Sequence, residues 1–172
     1  MGKIWRLALI LTLLAVCVIG DQFSKALARA RLVLGERISL AGGMVILEYS
    51  ENVGAFLSLG ARLPPTARFV LMTVIAGVLV LGMAIFLLSS PSLPVRETLA
   101  LTFMVGGGIG NLIDRVRYDG AVADFMNVGI GTLRTGIFNV ADVALTGGAI
   151  ALALFGILDF VRARRAPTPE LP

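Results

Sequence analysis

The most constraining feature of this sequence is a set of four apolar runs, each roughly 20 residues long and separated by more polar segments. The runs cover residues 4–20, 69–90, 98–113 and 140–161. An α-helix needs about 20 predominantly apolar residues to cross the hydrocarbon core of a bilayer. Hydrophobic residues make up 57% of the chain and charged residues only 15%, which is atypical of a soluble domain. The pattern therefore predicts one mainly α-helical integral membrane domain, residues 1–172, with four transmembrane helices.

The connecting segments at residues 21–68 and 114–139 hold most of the remaining polar residues. An even number of spans places both chain ends on one side of the membrane and both long segments on the other. Basic residues flanking the first and last spans favour a cytoplasmic location for the chain ends; they are Lys3, Arg6, Arg162, Arg164 and Arg165. The long segments are therefore expected to face away from the cytoplasm.

Two short β-prone runs interrupt the first outer segment. Residues 38–40 and 44–49 flank a Gly42-Gly43 pair, a sequence typical of a turn between strands. We expect a small strand pair lying against the membrane surface. The chain ends in a proline-rich tail, residues 166–172, which is predicted to be disordered.

The first span has features of a cleavable signal sequence. Basic residues precede its apolar core, and "LAVC" at residues 14–17 is similar to the cleavage motif of lipoproteins. Val16, however, is too large for the position before such a cysteine. We therefore expect the span to be retained, with Cys17 packed as a small apolar residue.

Histidine is absent and Cys17 is the sole cysteine. No Ser-His-Asp triad, HExxH zinc helix or histidine proton shuttle can be built from this sequence. A single cysteine also excludes an internal disulfide and a cysteine metal cluster. The net charge of +4 is not accompanied by interleaved aromatic and basic residues, so we expect no nucleic-acid binding. Catalysis would have to use Asp, Glu, Lys, Arg, Ser, Tyr or the single Cys, and no cofactor is expected.

Polar residues gather at the span ends that share one membrane face. Ionisable groups in a span are costly and usually face a cavity or a partner, so this convergence predicts a polar site. The residues are Asp21 and Lys25 in the first span, Asn111, Asp114 and Arg115 in the third, and Asn139 and Asp142 in the fourth. Structural roles remain open: an i,i+4 ion pair for Asp21 and Lys25, a helix N-cap for Asn139, and close helix packing at Gly106 and Gly110.

Asp124 and Asp142 both have apolar sequence surroundings: Asp124 lies in the apolar stretch 121–129, and Asp142 lies inside the fourth span. If they meet in a region of low dielectric, both cannot ionise easily, and one will hold a proton near neutral pH. A general acid then lies beside a general base, which is sufficient to hydrolyse an amide. The alternative is two unrelated carboxylates, each paired with an arginine: Arg115, Arg117 or Arg134.

Five short motifs occur in the order, and roughly the spacing, found in lipoprotein (type II) signal peptidases. They are DQFSK (21–25), NVGAF (52–56), GGGIGNLIDR (106–115), VADF (122–125) and FNVAD (138–142). The chain resembles this family over nearly its whole length. The resemblance implies a bacterial inner-membrane aspartic endopeptidase that removes signal peptides from prolipoproteins, cutting before a diacylglyceryl cysteine. It also implies a small extracytoplasmic β-cradle, a short surface helix and an active site at the periplasmic face.

The resemblance also implies roles for individual residues. The catalytic pair falls on Asp124 and Asp142. The substrate-binding or supporting positions fall on Asp21, Lys25, Asn52, Gly54, Asn111, Arg115 and Asn139. Asp114 is expected to be a structural partner of an arginine. The implied partners are a diacylglyceryl prolipoprotein and membrane lipids, without an obligatory oligomer. The family often has NxGAAF where this chain has a single alanine, Ala55, which leaves the roles of Phe56 and Leu57 open.

Two other classes of function fit the sequence less well. A small transporter or proton-coupled channel would use the same buried carboxylates, but it typically shows paired repeats or broken helices at the bilayer midplane. The sequence contains no such repeat, and its charges lie at one edge. A membrane scaffold would not need two aspartates in apolar settings together with three asparagines.

Overall fold

The computed structural model describes residues 2–54 and 60–165, which form a bundle of long helices with an antiparallel sheet at one end. The long helices are α1 (Lys3–Arg31), α2 (Pro65–Ser89), α3 (Val95–Arg117) and α4 (Val140–Arg165). The strands are β1 (Ile38–Leu40), β2 (Val45–Asn52), β3 (Val122–Ile130) and β4 (Leu133–Arg134). Ala55, Phe56, Leu57 and the tail at 166–172 lie outside the described residues.

Each predicted apolar run coincides with one of the four helices. Within the described residues, three helices are long and apolar enough to cross a membrane: Lys3–Arg31, Pro65–Ser89 and Val140–Arg164. Their outer surfaces carry large apolar side chains; Val78, Leu81 and Ile85 of α2 are 58–64% exposed. A helix that is apolar on all sides requires an apolar environment, which for an outer surface means lipid. The helices thus have the surface of a membrane protein.

Helix α3 occupies the centre of the bundle and contacts α1, α2 and α4. Its glycines make these contacts close. A β-carbon on Gly106 would lie 2.8 Å from Cβ of Cys17 in α1, and one on Gly108 would lie 2.5 Å from Cγ2 of Val80 in α2. The predicted packing roles of Gly106 and Cys17 are therefore confirmed, and the glycine run provides a contact surface for three neighbouring helices rather than one.

Gly107 provides a test of this packing. A methyl group there would overlap the carbonyl oxygen of Ala141 and lie 2.9 Å from the amide nitrogen of Leu145, both in the backbone of α4. We expect Gly107→Ala to destabilise the protein by about 1–3 kcal/mol, because a backbone cannot yield as a side chain can. Gly156 has nothing within 4 Å of the equivalent methyl position, so Gly156→Ala is the control. Melting temperatures in detergent that fall equally for both variants would contradict close α3–α4 packing.

The sheet has the strand order β1-β2-β3-β4, all antiparallel. The predicted strand pair is confirmed as β1 and β2, which are joined by a 3₁₀ turn, Ala41–Gly43, in which Gly42 and Gly43 have φ of 66° and 89°. Strand β3 was not predicted, because its residues have no clear period-2 alternation. Beyond the long helices, the only helix in the described residues is that 3₁₀ turn, so the surface helix implied by the family resemblance is not found there.

Candidate active site

The start of α4 places Asp142 through a reciprocal pair of hydrogen bonds with Asn139. The backbone N–H of Asp142 donates to Oδ1 of Asn139 (2.9 Å), and the N–H of Asn139 donates to Oδ2 of Asp142 (3.2 Å). This is a capping box, which satisfies helix N–H groups and fixes both side chains. The predicted N-cap role of Asn139 is confirmed. Its amide NH2 takes no part in the cap and can donate hydrogen bonds to other groups.

Strand pairing places Asp124 opposite β2 and beneath the amide group of Asn139. Asp124 is 2% exposed. Its Oδ1 accepts a hydrogen bond from Nδ2 of Asn139 (2.6 Å), and its Oδ2 accepts one from Nδ2 of Asn52 (3.0 Å). Asn139 therefore bonds to both Asp124 and Asp142. None of the ion pairs among the described residues includes either aspartate, so the alternative of two arginine-paired carboxylates is not observed.

Burial changes the acidity of Asp124. Desolvation, reinforced by the charge of Asp142, raises the pKa of Asp124 to about 6 from its ordinary value near 3.8, although hydrogen bonds from Asn52 and Asn139 oppose the shift. A carboxyl group with such a pKa can exchange its proton near neutral pH. This is the property expected of one member of an acid–base pair.

The raised pKa makes a prediction about stability. Because the folded chain holds a proton on Asp124 over a pH range in which the unfolded chain has lost it, the stabilisation is present at low pH. It is lost as pH rises from about 4 to 6. The free energy of unfolding of the wild type, relative to Asp124→Asn, should fall by roughly 2–3 kcal/mol across this range. Denaturation of both proteins in detergent between pH 4 and 8 checks this, and a constant difference would contradict the raised pKa.

Asn111 of α3 connects this pair to a buried lysine. Its Nδ2 donates to Oδ1 of Asp142 (2.8 Å), while its Oδ1 accepts from Nζ of Lys25 (2.9 Å) and Nδ2 of Asn139 (3.2 Å). Because an ammonium group can only donate hydrogen bonds, Lys25 selects the amide orientation in which the NH2 of Asn111 faces Asp142. Lys25 thus acts on the aspartate through Asn111.

Lys25 belongs to a group of charged residues that we call the buried ionic cluster: Asp21, Lys25, Arg29 and Asp114. Nζ of Lys25 lies 2.8 Å from Asp21 and 3.5 Å from Asp114, and Arg29 donates to Asp114 at 3.0 Å. Two cations balance two carboxylates, and all except Arg29 have fully buried side chains. The predicted Asp21–Lys25 ion pair and the predicted arginine partner of Asp114 are both confirmed.

The buried ionic cluster also holds the backbone beside each aspartate of the pair. Oδ1 of Asp21 accepts the N–H of Ala141 (2.9 Å), which immediately precedes Asp142. Oδ2 of Asp114 accepts the N–H of Ala123 (3.0 Å), which immediately precedes Asp124. The two carboxylates of the cluster therefore position the two chain segments that carry the pair.

Sequence reasoning missed two members of this arrangement. Nε2 of Gln22 lies 3.1 Å from the carbonyl oxygen of Gly110 and from carboxylate oxygens of Asp21 and Asp114. Its position beside Asp21 in the DQFSK motif was the available signal. Arg29 follows Lys25 by four residues, so the spacing 21, 25, 29 on one helix face could have identified it.

A cavity of about 280 Å³ lies between the sheet and the helix ends. Asp124, Asp142, Asn52, Asn111 and Arg115 contribute polar groups to its lining, and apolar side chains from α2, α3, α4, β3 and the segment before α4 form much of the rest. Nη2 of Arg115 donates to the carbonyl oxygen of Gly54 (3.0 Å), whose own N–H donates to Asn52 (2.9 Å). All nine predicted site residues thus join one connected network of hydrogen bonds and ion pairs.

A family model described as signal peptidase (SPase) II matches residues 13–158. The chain belongs to the signal peptidase II family. It is therefore an aspartic peptidase. A lipoprotein signal peptidase from Brevibacillus brevis is 36% identical over 145 residues, covering 84% of this chain and 92% of that protein. One from Xanthomonas campestris pv. campestris is 34% identical over 161 residues, covering 92% and 95%.

A solved bacterial membrane enzyme, determined at 2.3 Å by the in meso method, has the same fold. Its TM-score is 0.79 at 22% identity, and the match covers 94% of both chains. Together with the apolar outer faces of the helices, this likeness identifies the signal peptidase II chain as a multi-pass membrane protein.

Proposed function

We propose that this chain removes signal peptides from diacylglyceryl-modified prolipoproteins, with Asp124 and Asp142 as its catalytic pair. One observation carries the assignment: the two aspartates line the same cavity and share hydrogen bonds to Asn139, and neither forms an ion pair among the described residues. The relatives' name, lipoprotein signal peptidase, supports the substrate class.

The raised pKa of Asp124 distinguishes the two carboxyl groups, because desolvation outweighs the hydrogen bonds that Asp124 accepts from Asn52 and Asn139. Asp124, whose pKa is raised, is assigned the proton, and Asp142 the base. Asp142 takes a proton from a water molecule as the water oxygen attacks the scissile carbonyl carbon, and Asp124 protonates the carbonyl oxygen. The resulting gem-diol collapses when Asp142 passes its proton to the leaving nitrogen and Asp124 recovers a hydroxyl proton. Both carboxyls then regain their starting states.

The other seven site residues support this chemistry by position. Asn52, Asn111 and Asn139 each donate to a catalytic carboxylate, which directs its remaining lone pairs. Asp21 and Lys25 hold the start of α4 and the orientation of Asn111. Arg115 holds the backbone at Gly54 and places a cation at the cavity wall, where it can neutralise charge developing on a carbonyl oxygen.

We further propose four transmembrane helices in the bacterial inner membrane, with spans near 4–20, 69–90, 98–113 and 140–161. Helix α3 would be the fourth span, since it lies among three helices that have spanning composition. The sheet then forms an extracytoplasmic cradle and the catalytic pair faces the periplasm. Every proposed catalytic residue comes from one chain, so an oligomer is not required.

Cysteine labelling in intact cells tests the orientation. Thr132, between β3 and β4, and Ser92, between α2 and α3, are both exposed and lie beyond opposite ends of α3. In a Cys17→Ala background, we expect Thr132→Cys to react with a membrane-impermeant thiol reagent in intact cells with a permeabilised outer membrane. Ser92→Cys should react only after the inner membrane is opened. The reverse pattern would place the aspartates on the cytoplasmic side.

The substrate assignment is tested with purified protein in detergent. A diacylated prolipoprotein should be cut immediately before its lipid-bearing cysteine, and the matched substrate without diacylglyceryl should be cut far more slowly. A membrane scaffold or a transporter would leave both substrates intact. Equal cleavage of both substrates would support the peptidase assignment but contradict a requirement for the diacylglyceryl group.

A further inference from the structure

A second cavity, of about 370 Å³, lies at the end of the bundle opposite the catalytic pair. It is formed by the first turns of α1 and the last turn of α2. Lys3 and Arg6 supply its charged groups, and Leu7 and Leu88 contribute apolar wall. Arg6 is only 8% exposed, although it carries a full positive charge. The peptidase chemistry at the other end of the bundle does not account for this burial.

The contacts of Arg6 compensate its charge only in part. Nη2 donates to the carbonyl oxygen of Leu87 near the end of α2 (2.7 Å), where the helix dipole is negative. Nε is buried without a hydrogen-bond partner. Among the described residues, no carboxylate pairs with Arg6 or Lys3; Glu97 and Asp159 instead pair with Arg96.

A buried cation without a counter-charge costs several kcal/mol, so the geometry favours a bound anion. The start of α1 adds to the positive electrostatic potential of Lys3 and Arg6 in this cavity. Its N-cap, Gly2, forms no side-chain cap, so within the part of the chain that the structure describes the first helical N–H groups are available to an acceptor. An unsatisfied guanidinium N–H, an ammonium group and an uncapped helix start together match the oxygens of a phosphate group.

The surroundings of the cavity indicate that this phosphate belongs to a lipid. Ile4 and Trp5, on the same turn of α1, are 84% and 75% exposed. Tryptophan in this position is typical of the headgroup level of a bilayer, where lipid phosphates also lie. The apolar wall at Leu7 and Leu88 would continue along the lipid's glycerol and upper acyl chain. We propose that this cavity binds the phosphate of an anionic phospholipid such as phosphatidylglycerol.

Lipid retention measured by native mass spectrometry tests the proposal on the purified protein in detergent. The probes are phosphatidylglycerol, diacylglycerol, which lacks the phosphate, and inorganic phosphate. We expect one phosphatidylglycerol to bind and raise the melting temperature, while diacylglycerol and inorganic phosphate do not. Lys3→Gln and Arg6→Gln should each weaken phosphatidylglycerol binding by about tenfold, the range of a lost charge-assisted hydrogen bond.

Two variants serve as controls for net charge and for folding. Arg164→Gln removes an exposed arginine at the same end of the bundle and should leave the affinity unchanged. Lys3 is exposed, so its variant remains informative if Arg6→Gln fails to fold. Unchanged binding in Lys3→Gln, or equal losses in Arg164→Gln, would overturn the site. Saturation by inorganic phosphate alone would overturn the lipid assignment.

A carboxylate of the chain itself is the other anion to test. Glu170→Gln should not lower the melting temperature measured without lipid. A lower melting temperature would overturn the lipid assignment and indicate that the Glu170 carboxylate is the anion.

Discussion

Turnover of a diacylated prolipoprotein should fall by about 10²–10⁴ when either Asp124 or Asp142 is replaced by asparagine. The substitution preserves size but can neither take a proton from water nor return one to the leaving nitrogen. In Asp124→Asn the new NH2 must also face one of two amide donors, Asn52 or Asn139. This mismatch should lower the free energy of unfolding by about 1–3 kcal/mol, and we expect the variant to remain folded.

The measurement is the initial rate of cleavage in detergent, together with the melting temperature of each variant. Asp119→Asn is the matched control, since Asp119 is exposed in the same outer segment and has a φ of 50°, a conformation that asparagine tolerates. Its turnover should remain near that of the wild type. Near wild-type turnover in Asp124→Asn or Asp142→Asn would end the assignment of the catalytic pair.

Lys25→Met should destabilise the protein by about 3–5 kcal/mol, because it leaves the carboxylates of Asp21 and Asp114 with a single cation in a buried site. It also removes the donor that selects the amide orientation of Asn111, so activity should fall beyond the loss of folded protein. The double variant Asp21→Asn with Lys25→Met restores charge balance. It should recover part of the stability without recovering activity.

An exposed ion pair of the same length provides the control for Lys25→Met. Arg37 and Glu48 are also separated by 2.8 Å, but the side chain of Arg37 is 67% exposed whereas that of Lys25 is fully buried. Arg37→Met should change stability by only about 0–1 kcal/mol, because water screens and replaces such a pair. Equal effects of the two substitutions on melting temperature would show that the buried ionic cluster does not stabilise this fold.

Local sequence patterns determined the helices, the first strand pair and the chemistry available to the chain. The four apolar runs were sufficient to predict the four helices. Insertion of a helix into lipid depends on the composition of about 20 consecutive residues and not on which other helices pack against it. Gly42 and Gly43 specified the turn between β1 and β2 for a similar reason, since their positive φ values are local. The absence of histidine excluded histidine-dependent catalytic sites, and the apolar sequence surroundings of Asp124 and Asp142 then made these two carboxylates candidates for acid–base chemistry. The order of the motifs supported a resemblance to signal peptidase II, and that resemblance implied the nine predicted site residues.

Tertiary structure alone decided which side chains meet and what each does. Strand β3 forms by pairing with β2, a distant segment, so the weak alternation of residues 122–130 could not reveal it. Gln22 and Arg29 joined the network because the glycines of α3 bring α1 close, and close approach depends on all the packed helices together. The pKa of Asp124 likewise follows from burial, which only the assembled chain provides. The composition of each helix determines that its outer surface lies in lipid. Contacts between elements far apart in sequence determine the hydrogen-bond partners and the pKa of the side chains in the site.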